Sequence, residues 1–174
     1  AEKLAQATQA VEKAEGSKAQ ADVDTARTLV NALPNSEEKT ALTERLDAIQ
    51  TEIDAQTQLE SLILDATTAV VKAEGSKAQA DVDNARTLVN ALPDGADKTT
   101  LTERLDAVQK AINDAKAEAD KQKAIEEATQ AVVKAEGTKA QADVDNARTI
   151  VNALPDGTEK TSLIERLDAV QKAI

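Results

Sequence analysis

A stretch of 20 residues written three times constrains this chain more than any other feature. It runs from Glu15-Gly16-Ser17-Lys18 to Leu33-Pro34, returns from Glu74 to Pro93, and returns again from Glu136 to Pro155. The marker glycines Gly16, Gly75 and Gly137 stand 59 and 62 residues apart. Residues 72–110 and 134–172 differ at six of 39 positions. Residues 14–50 and 73–109 differ at seven of 37, and four of those differences lie in 35–38. A sequence that varies in one short polar segment and holds its apolar positions is constrained by packing. The chain therefore reads as three copies of one small unit.

Each copy carries three apolar stripes at helical spacing. The first is Leu4, Ala7, Val11, Ala14, repeated as Ile63, Ala66, Val70, Ala73 and as Ile125, Ala128, Val132, Ala135. Steps of three and four place these on one helix face, so a helix is expected over 2–15. Gly16, Gly75 and Gly137 then fall where a helix end favours a left-handed residue. Ser17 with Gln20, Ser76 with Gln79 and Thr138 with Gln141 read as capping boxes that open the next helix. A turn this tight sends the second helix back antiparallel to the first.

The second stripe is Ala19, Val23, Ala26, Val30, Leu33, with equivalents Ala78 to Leu92 and Ala140 to Leu154. Pro34, Pro93 and Pro155 end it, because a residue before proline avoids the helical region. An acidic variant of the capping box follows in each copy: Asn35 with Glu38, Asp94 with Asp97, Asp156 with Glu159. Gly95 and Gly157 add freedom to that turn. The third stripe is Leu42, Leu46, Ile49, Ile53, then Leu101, Leu105, Val108, Ile112, then Leu163, Leu167, Val170, Ile174. Three short helices with one stripe each can bury those stripes only against one another. The expected fold is all-α, three tandem three-helix bundles at 1–55, 56–117 and 118–174, the last helix ending mid-pattern at Ile174.

The joins carry further information. From Lys39 to Glu74 and from Lys98 to Glu136 there is no Gly or Pro, and Ala, Glu, Gln, Lys and Leu dominate. The third helix of one copy is thus expected to continue unbroken into the first helix of the next. Stepping about 100° per residue, the stripe turns by about 280° from Ile53 to Ile63 and about 220° from Ile112 to Ile125. One helix could in this way serve two successive bundles, a spectrin-like plan that gives an elongated rod. At about 1.5 Å per residue, three such units make a rod on the order of 90–100 Å long.

Composition decides which functions remain. The chain has no Cys, His, Met or aromatic residue, which removes thiol nucleophiles, imidazole bases and all common metal ligands except carboxylates. A net charge of −11 disfavours nucleic acid, whose phosphates call for clustered Lys and Arg. No segment is long and apolar enough for membrane insertion. The recurrent Asp22/Asp24, Asp81/Asp83 and Asp143/Asp145 suggest calcium, yet residues two apart on a helix do not share a face. They read better as a solvated face, and Asp94-Gly95-Ala96-Asp97 reads better as a cap than as a metal turn. Arg27, Arg86, Arg148, Arg45, Arg104 and Arg166 read as helix-face ion pairs or as cover for the core edge. Leu29, Leu88 and Ile150 fall beside the second stripe and read as core rather than as a docking face. No catalytic, metal or cofactor-binding residue emerges, and no binding residue can be singled out.

The run Ala-Asp-Val-Asp-Asn-Ala-Arg-Thr-Leu-Val-Asn-Ala-Leu-Pro-Asp-Gly at 80–95, followed by Lys98-Thr99 and by Leu105-Asp106-Ala107-Val108-Gln109, resembles a known type of helical repeat. It is similar to tandem repeats of large Gram-positive cell-surface and adhesin-type proteins, and to repeats of insecticidal crystal protoxins. The resemblance implies an extracellular, cell-wall-associated setting. The expected function is a monomeric, non-catalytic spacer or stalk whose partners are its own neighbouring repeats. The alternative is an adhesin-like module that engages a host or partner protein through several copies at once.

Overall fold

The computed structural model describes residues 1–174, and its regular structure is α-helix throughout. The helices are α1 (Glu2–Ser17), α2 (Gln20–Asn31), α3 (Glu37–Ser76), α4 (Gln79–Ala91), α5 (Ala96–Thr138), α6 (Gln141–Asn152) and α7 (Thr158–Lys172). The stretches free of Gly and Pro form single helices, 40 residues long in α3 and 43 in α5. The chain divides into two compact units. One holds Ala1–Ser76 with Ala80–Leu105, the other Lys77–Gln79 with Asp106–Ile174.

In the first unit α1, α2 and the start of α3 pack pairwise into a three-helix bundle. Its core is Ala7, Val11 and Ala14 from α1, Val23, Ala26 and Val30 from α2, Leu33 after it, and Leu42, Leu46 and Ile49 from α3. Leu4, Leu29 and Ile53 pack against its edge, half-buried. Cross-helix pairs give the directions. Gln20 meets Gln50 and Arg27 meets Asp47, so α2 and α3 run antiparallel. Glu15 meets Arg45, which sets the end of α1 beside the middle of that bundle's α3 segment. Farther along the same unit Ala66, Val70 and Ala73 of α3 are buried, as are Val82, Ala85 and Val89 of α4, with Leu92, Leu101 and Leu105.

The second unit repeats the arrangement. Ala128, Val132 and Ala135 of α5 pack with Val144, Ala147 and Val151 of α6, with Leu154, and with Leu163, Leu167 and Val170 of α7. No polar or charged residue is buried in the chain.

The turns depart from the sequence expectation in three ways. First, the left-handed residue after α1, α3 and α5 is not glycine. Gly16, Gly75 and Gly137 remain helical, and Lys18, Lys77 and Lys139 adopt φ values of 49°, 49° and 52°. A glycine tolerates the right-handed well, so the helix runs two residues further and closes on the Lys18 N–H, which donates to the Ala14 carbonyl at 2.8 Å. A lysine at this end also complements the negative end of the helix dipole, and the Lys18 ammonium meets Glu52 at 2.6 Å.

Second, Ser17 and Thr138 do not cap the following helices. They are the last residues of the preceding ones, Ala19 and Ala140 precede α2 and α6, and no side chain caps either start. The hydroxyls instead accept from the Ala19 and Ala140 N–H groups at 3.3 Å. Ser76 likewise ends α3. Ala19, Ala78 and Ala140 are exposed rather than part of the second stripe.

Third, the expected caps Asn35, Asp94 and Asp156 sit one residue too early. Ser36 caps α3, its Oγ accepting the Lys39 N–H at 3.2 Å. Glycines 95 and 157 occupy the equivalent position, where no side chain is available, and Gly157 is simply extended at φ 171°. The starts of α5 and α7 rely on first-turn acids, Asp97 and Glu159, at the positive end of the dipole, where Glu38 stands in α3. The helices α2 and α6 end at Asn31 and Asn152, three residues before Pro34 and Pro155, so Leu33 and Leu154 of the second stripe lie in the turn rather than in the helix. The carbonyls left there are served by lysines of the next helix: Lys39 donates to Asn31 and Leu33, and Lys160 to Leu154. Ile174, the last member of the third stripe, is 55% exposed.

Two stability changes follow. A Cβ at Gly75 would meet nothing within 4 Å and its backbone is right-handed, so Gly75→Ala raises stability by about 0.5–1 kcal/mol. Urea unfolding followed by helical circular dichroism measures it. A loss would return the left-handed role to this glycine. Leu46 is fully buried at the centre of the first bundle, and Leu46→Ala costs about 2–5 kcal/mol in the same measurement.

Candidate functional site

The side chains that sequence reading picked out as chemically suggestive gather at one level of each bundle, beside the first turn. In the first copy the Arg45 guanidinium donates two parallel bonds to Glu15, at 2.8 and 2.7 Å. Lys13 meets Asp22 at 2.8 Å, and Gln20 and Gln50 exchange amide hydrogen bonds at 2.8 Å. Arg27 reaches Asp47 at 2.9 Å. The belt recurs with little change. Arg104 holds Glu74 and Arg166 holds Glu136 in the same two-pronged way. Lys72 meets Asp81 and Lys134 meets Asp143, both at 2.7 Å. Gln79 pairs with Gln109, and Gln141 with Gln171. Arg148 reaches Asp168 at 3.0 Å.

The expected caps of the first turn fall inside this belt, in new roles, whereas those of the second turn lie at the other end of each bundle. Gln20 and Gln141, expected to reach back to their own helix starts, bridge to the third helix and to Asp24 and Asp145. Ser76 and Thr138 donate their hydroxyls to Asp81 and Asp143, at 2.6 and 2.8 Å. Asp94 and Asp156 each accept from a lysine one turn on, Lys98 and Lys160, at 3.0 Å. Glu159 accepts from the Thr158 hydroxyl at 3.1 Å. The two members of the Asp22/Asp24 pair serve different neighbours, Lys13 and Gln20. Nowhere do three or more acidic side chains converge as metal ligands would.

The arginines were expected to form helix-face ion pairs or to cover the core edge. Those at 27, 45, 104, 148 and 166 pair across helices instead, and that is what sequence reading missed. The signal was present: glutamate and arginine stand 30 residues apart in every copy, as do the paired glutamines, whatever the length of the joins. Thirty residues is the path out along the first turn, back along the second helix and up the third to the same level.

Electrostatics agree with this geometry. Glu15, Glu74 and Glu136 are held below the ordinary carboxylate range chiefly by the arginine hydrogen bonds, against an opposing effect of desolvation, with the arginine charge adding least. Asp22, Asp81 and Asp143 are lowered by the bond from their lysine first and by the Ser or Thr hydroxyl second. Between 34 and 40% of each arginine–glutamate side chain faces water, so a single pair contributes little and the belt acts by number and register.

The GA-like domain model matches residues 52–113 and again residues 107–174. Together the matches take in well over half of the chain. The chain belongs to the GA-like domain family. GA-like domains are three-helix bundles, in agreement with the packing of the end of α5 with α6 and α7 inside the second match. The two GA-like matches share 107–113, within α5, and each contains one full glutamate–arginine clasp. Residues 1–51 lie outside both matches and carry the same clasp through Glu15 and Arg45. The chain is also 43% identical over 167 residues to the minor extracellular protease Epr of Bacillus subtilis (strain 168). That similarity takes in 96% of this chain and 23% of the relative. No solved structure matches the chain. No helix is long and apolar enough to cross a membrane.

The belt has a pH signature. A carboxylate whose folded pKa is depressed stabilises the fold fully above its unfolded value, and the contribution is lost as pH falls through the folded one. Thermal stability of this GA-like chain is therefore expected to hold down to about pH 4–5 and then to drop as acid reaches the lowered carboxylates. The variant Glu15→Gln with Glu74→Gln and Glu136→Gln flattens part of that drop. Equal slopes for the two proteins would show that the glutamates carry none of it.

Proposed function

We propose that the chain is a non-catalytic spacer of an extracellular protein, built as three bundles at 1–55, 56–117 and 118–174 and extended into a rod by its long helices. The observation that carries this reading is the unbroken course of α3 and α5, 40 and 43 residues each. A helix that leaves one bundle and enters the next cannot fold back upon itself. The belt adds support, since its polar side chains are spent on one another rather than aimed at a substrate. The extracellular setting rests on the Epr relative, of which this chain spans about a quarter. As such a spacer the chain projects a functional domain of the extracellular protein from the cell wall. The bundles' partners are their own neighbours, and the chain acts as a monomer.

X-ray scattering tests the rod. The full chain is expected to show a largest dimension on the order of 90–100 Å at 1.5 Å per helical residue. A compact globule would end the proposal.

One observation favours the second reading, multivalent binding to a protein. Val71 and Val133 occupy equivalent positions in two copies and are each 53% exposed, where the first copy has Glu12. Retention of a purified partner that is lost in Val71→Glu with Val133→Glu, a change that leaves the scattering curve as it was, would replace the spacer by the binding module.

A further inference from the structure

Residues 113–123 of α5 form the longest stretch of the chain in which every side chain is exposed, with the Lys121 charge acting on Glu159 at the start of α7. All 11 side chains are exposed. The corresponding part of α3 is different, for half-buried Leu59 and Ile63 interrupt it and its longest wholly exposed run is 54–58. The extra length follows from the longer second repeat period. What holds 113–123 in place is local: Lys110–Asp114, Lys116–Asp120 and Lys123–Glu127 ion pairs, all one turn apart, and the Gln122 amide on Glu118. Such exposed pairs each contribute little. Opening this segment exposes no buried apolar side chain, so its free energy lies at the low end of the range for the molecule.

The same stretch is chemically marked. Lys116, Lys121 and Lys123 lie in it, whereas α3 has no Lys or Arg between Arg45 and Lys72. Lysines at the turns are guarded. Lys39 and Lys160 hold backbone carbonyls of the preceding turn. Lys18 and Lys139 sit at tight turns, where opening would unwind residues next to fully buried Ala14, Val23, Ala135 and Val144. Cleavage by a protease follows the population of the locally opened chain, and here the most easily opened helix is also the one carrying cleavable residues.

We propose that 113–123 is a cleavage site for an endoprotease with an acidic specificity pocket, which cuts after lysine. Water is added across the peptide bond that follows Lys116, Lys121 or Lys123, leaving a carboxylate on the lysine and an ammonium group on the next residue. The cut separates the first two copies from the third, and each fragment retains its own clasps. The stretch in α3 stays intact, since it offers such an enzyme no residue to bind.

Limited digestion of the full chain with trypsin, read by intact mass, tests this. The first internal cut is expected within 116–124, and Lys116→Gln with Lys121→Gln and Lys123→Gln is expected to slow the first internal cut at least tenfold. Circular dichroism melting of that variant should match the parent, since the ion pairs it removes hold only this exposed stretch and neither core. Ala117→Gly weakens the same helix by about 1 kcal/mol and should speed cutting there about fivefold, with no change at the turn lysines. A first internal cut after Lys18, Lys77 or Lys139, or an unchanged rate in the triple glutamine variant, overturns the proposal.

Discussion

The structure depends on how little apolar material each helix brings to its neighbours. With no aromatic residue or methionine, the interior is Ala, Val, Leu and Ile alone. Alanine faces allow close approach of helix axes but supply few dispersion contacts beyond that approach. In the first bundle α1 contributes Ala7, Val11 and Ala14, and α2 contributes Val23, Ala26 and Val30, so the larger side chains come from Leu33 and from Leu42, Leu46 and Ile49 of α3, of which Leu46 is fully buried. A core this thin, in a unit this small, stands at the edge of what a single domain can hold together. Stripes of similar small residues also specify register weakly, because one alanine fits much like another.

That weakness gives the polar belt its role. A guanidinium that must meet both oxygens of one carboxylate tolerates little slippage along the helix, and the paired glutamine amides add a second point of alignment. Neither adds much stability in water. Both penalise a shift of one helix turn, which the alanine faces by themselves would permit. Repeated at one level in every copy, the belt acts as a register mark for a core that lacks one.

Much of the fold was legible in sequence because packing leaves a periodic trace. The stripes at Ala7, Val11 and Ala14, at Val23, Ala26 and Val30, and at Leu42, Leu46 and Ile49 were placed correctly, and so was the continuity of α3 and α5. The turns were less legible, for a local reason. Gly16 and Lys18 compete for one left-handed position, and which wins depends on whether the helix gains more by running on to Ser17 or by stopping. The difference is a fraction of a turn and has no periodicity to reveal it. Asn35 lost the capping role to Ser36 through a similar shift of one residue. The clasp was missed because it joins Glu15 to Arg45 across two turns, and the eye compares helix neighbours first. Constant spacing across copies was the available clue.

Every partner in the clasp lies inside a single copy: Glu15 with Arg45, Glu74 with Arg104, Glu136 with Arg166. The long helices that connect the copies carry no such cross-helix obligation over much of their exposed length. A genetic crossover within the coding sequence of one of those helices therefore transfers a unit together with all its charges' partners, and strands none. Gene arrays of this design can lengthen or shorten by whole units through unequal recombination. The tolerance of the connecting helix to three extra residues is the physical allowance that makes such events harmless.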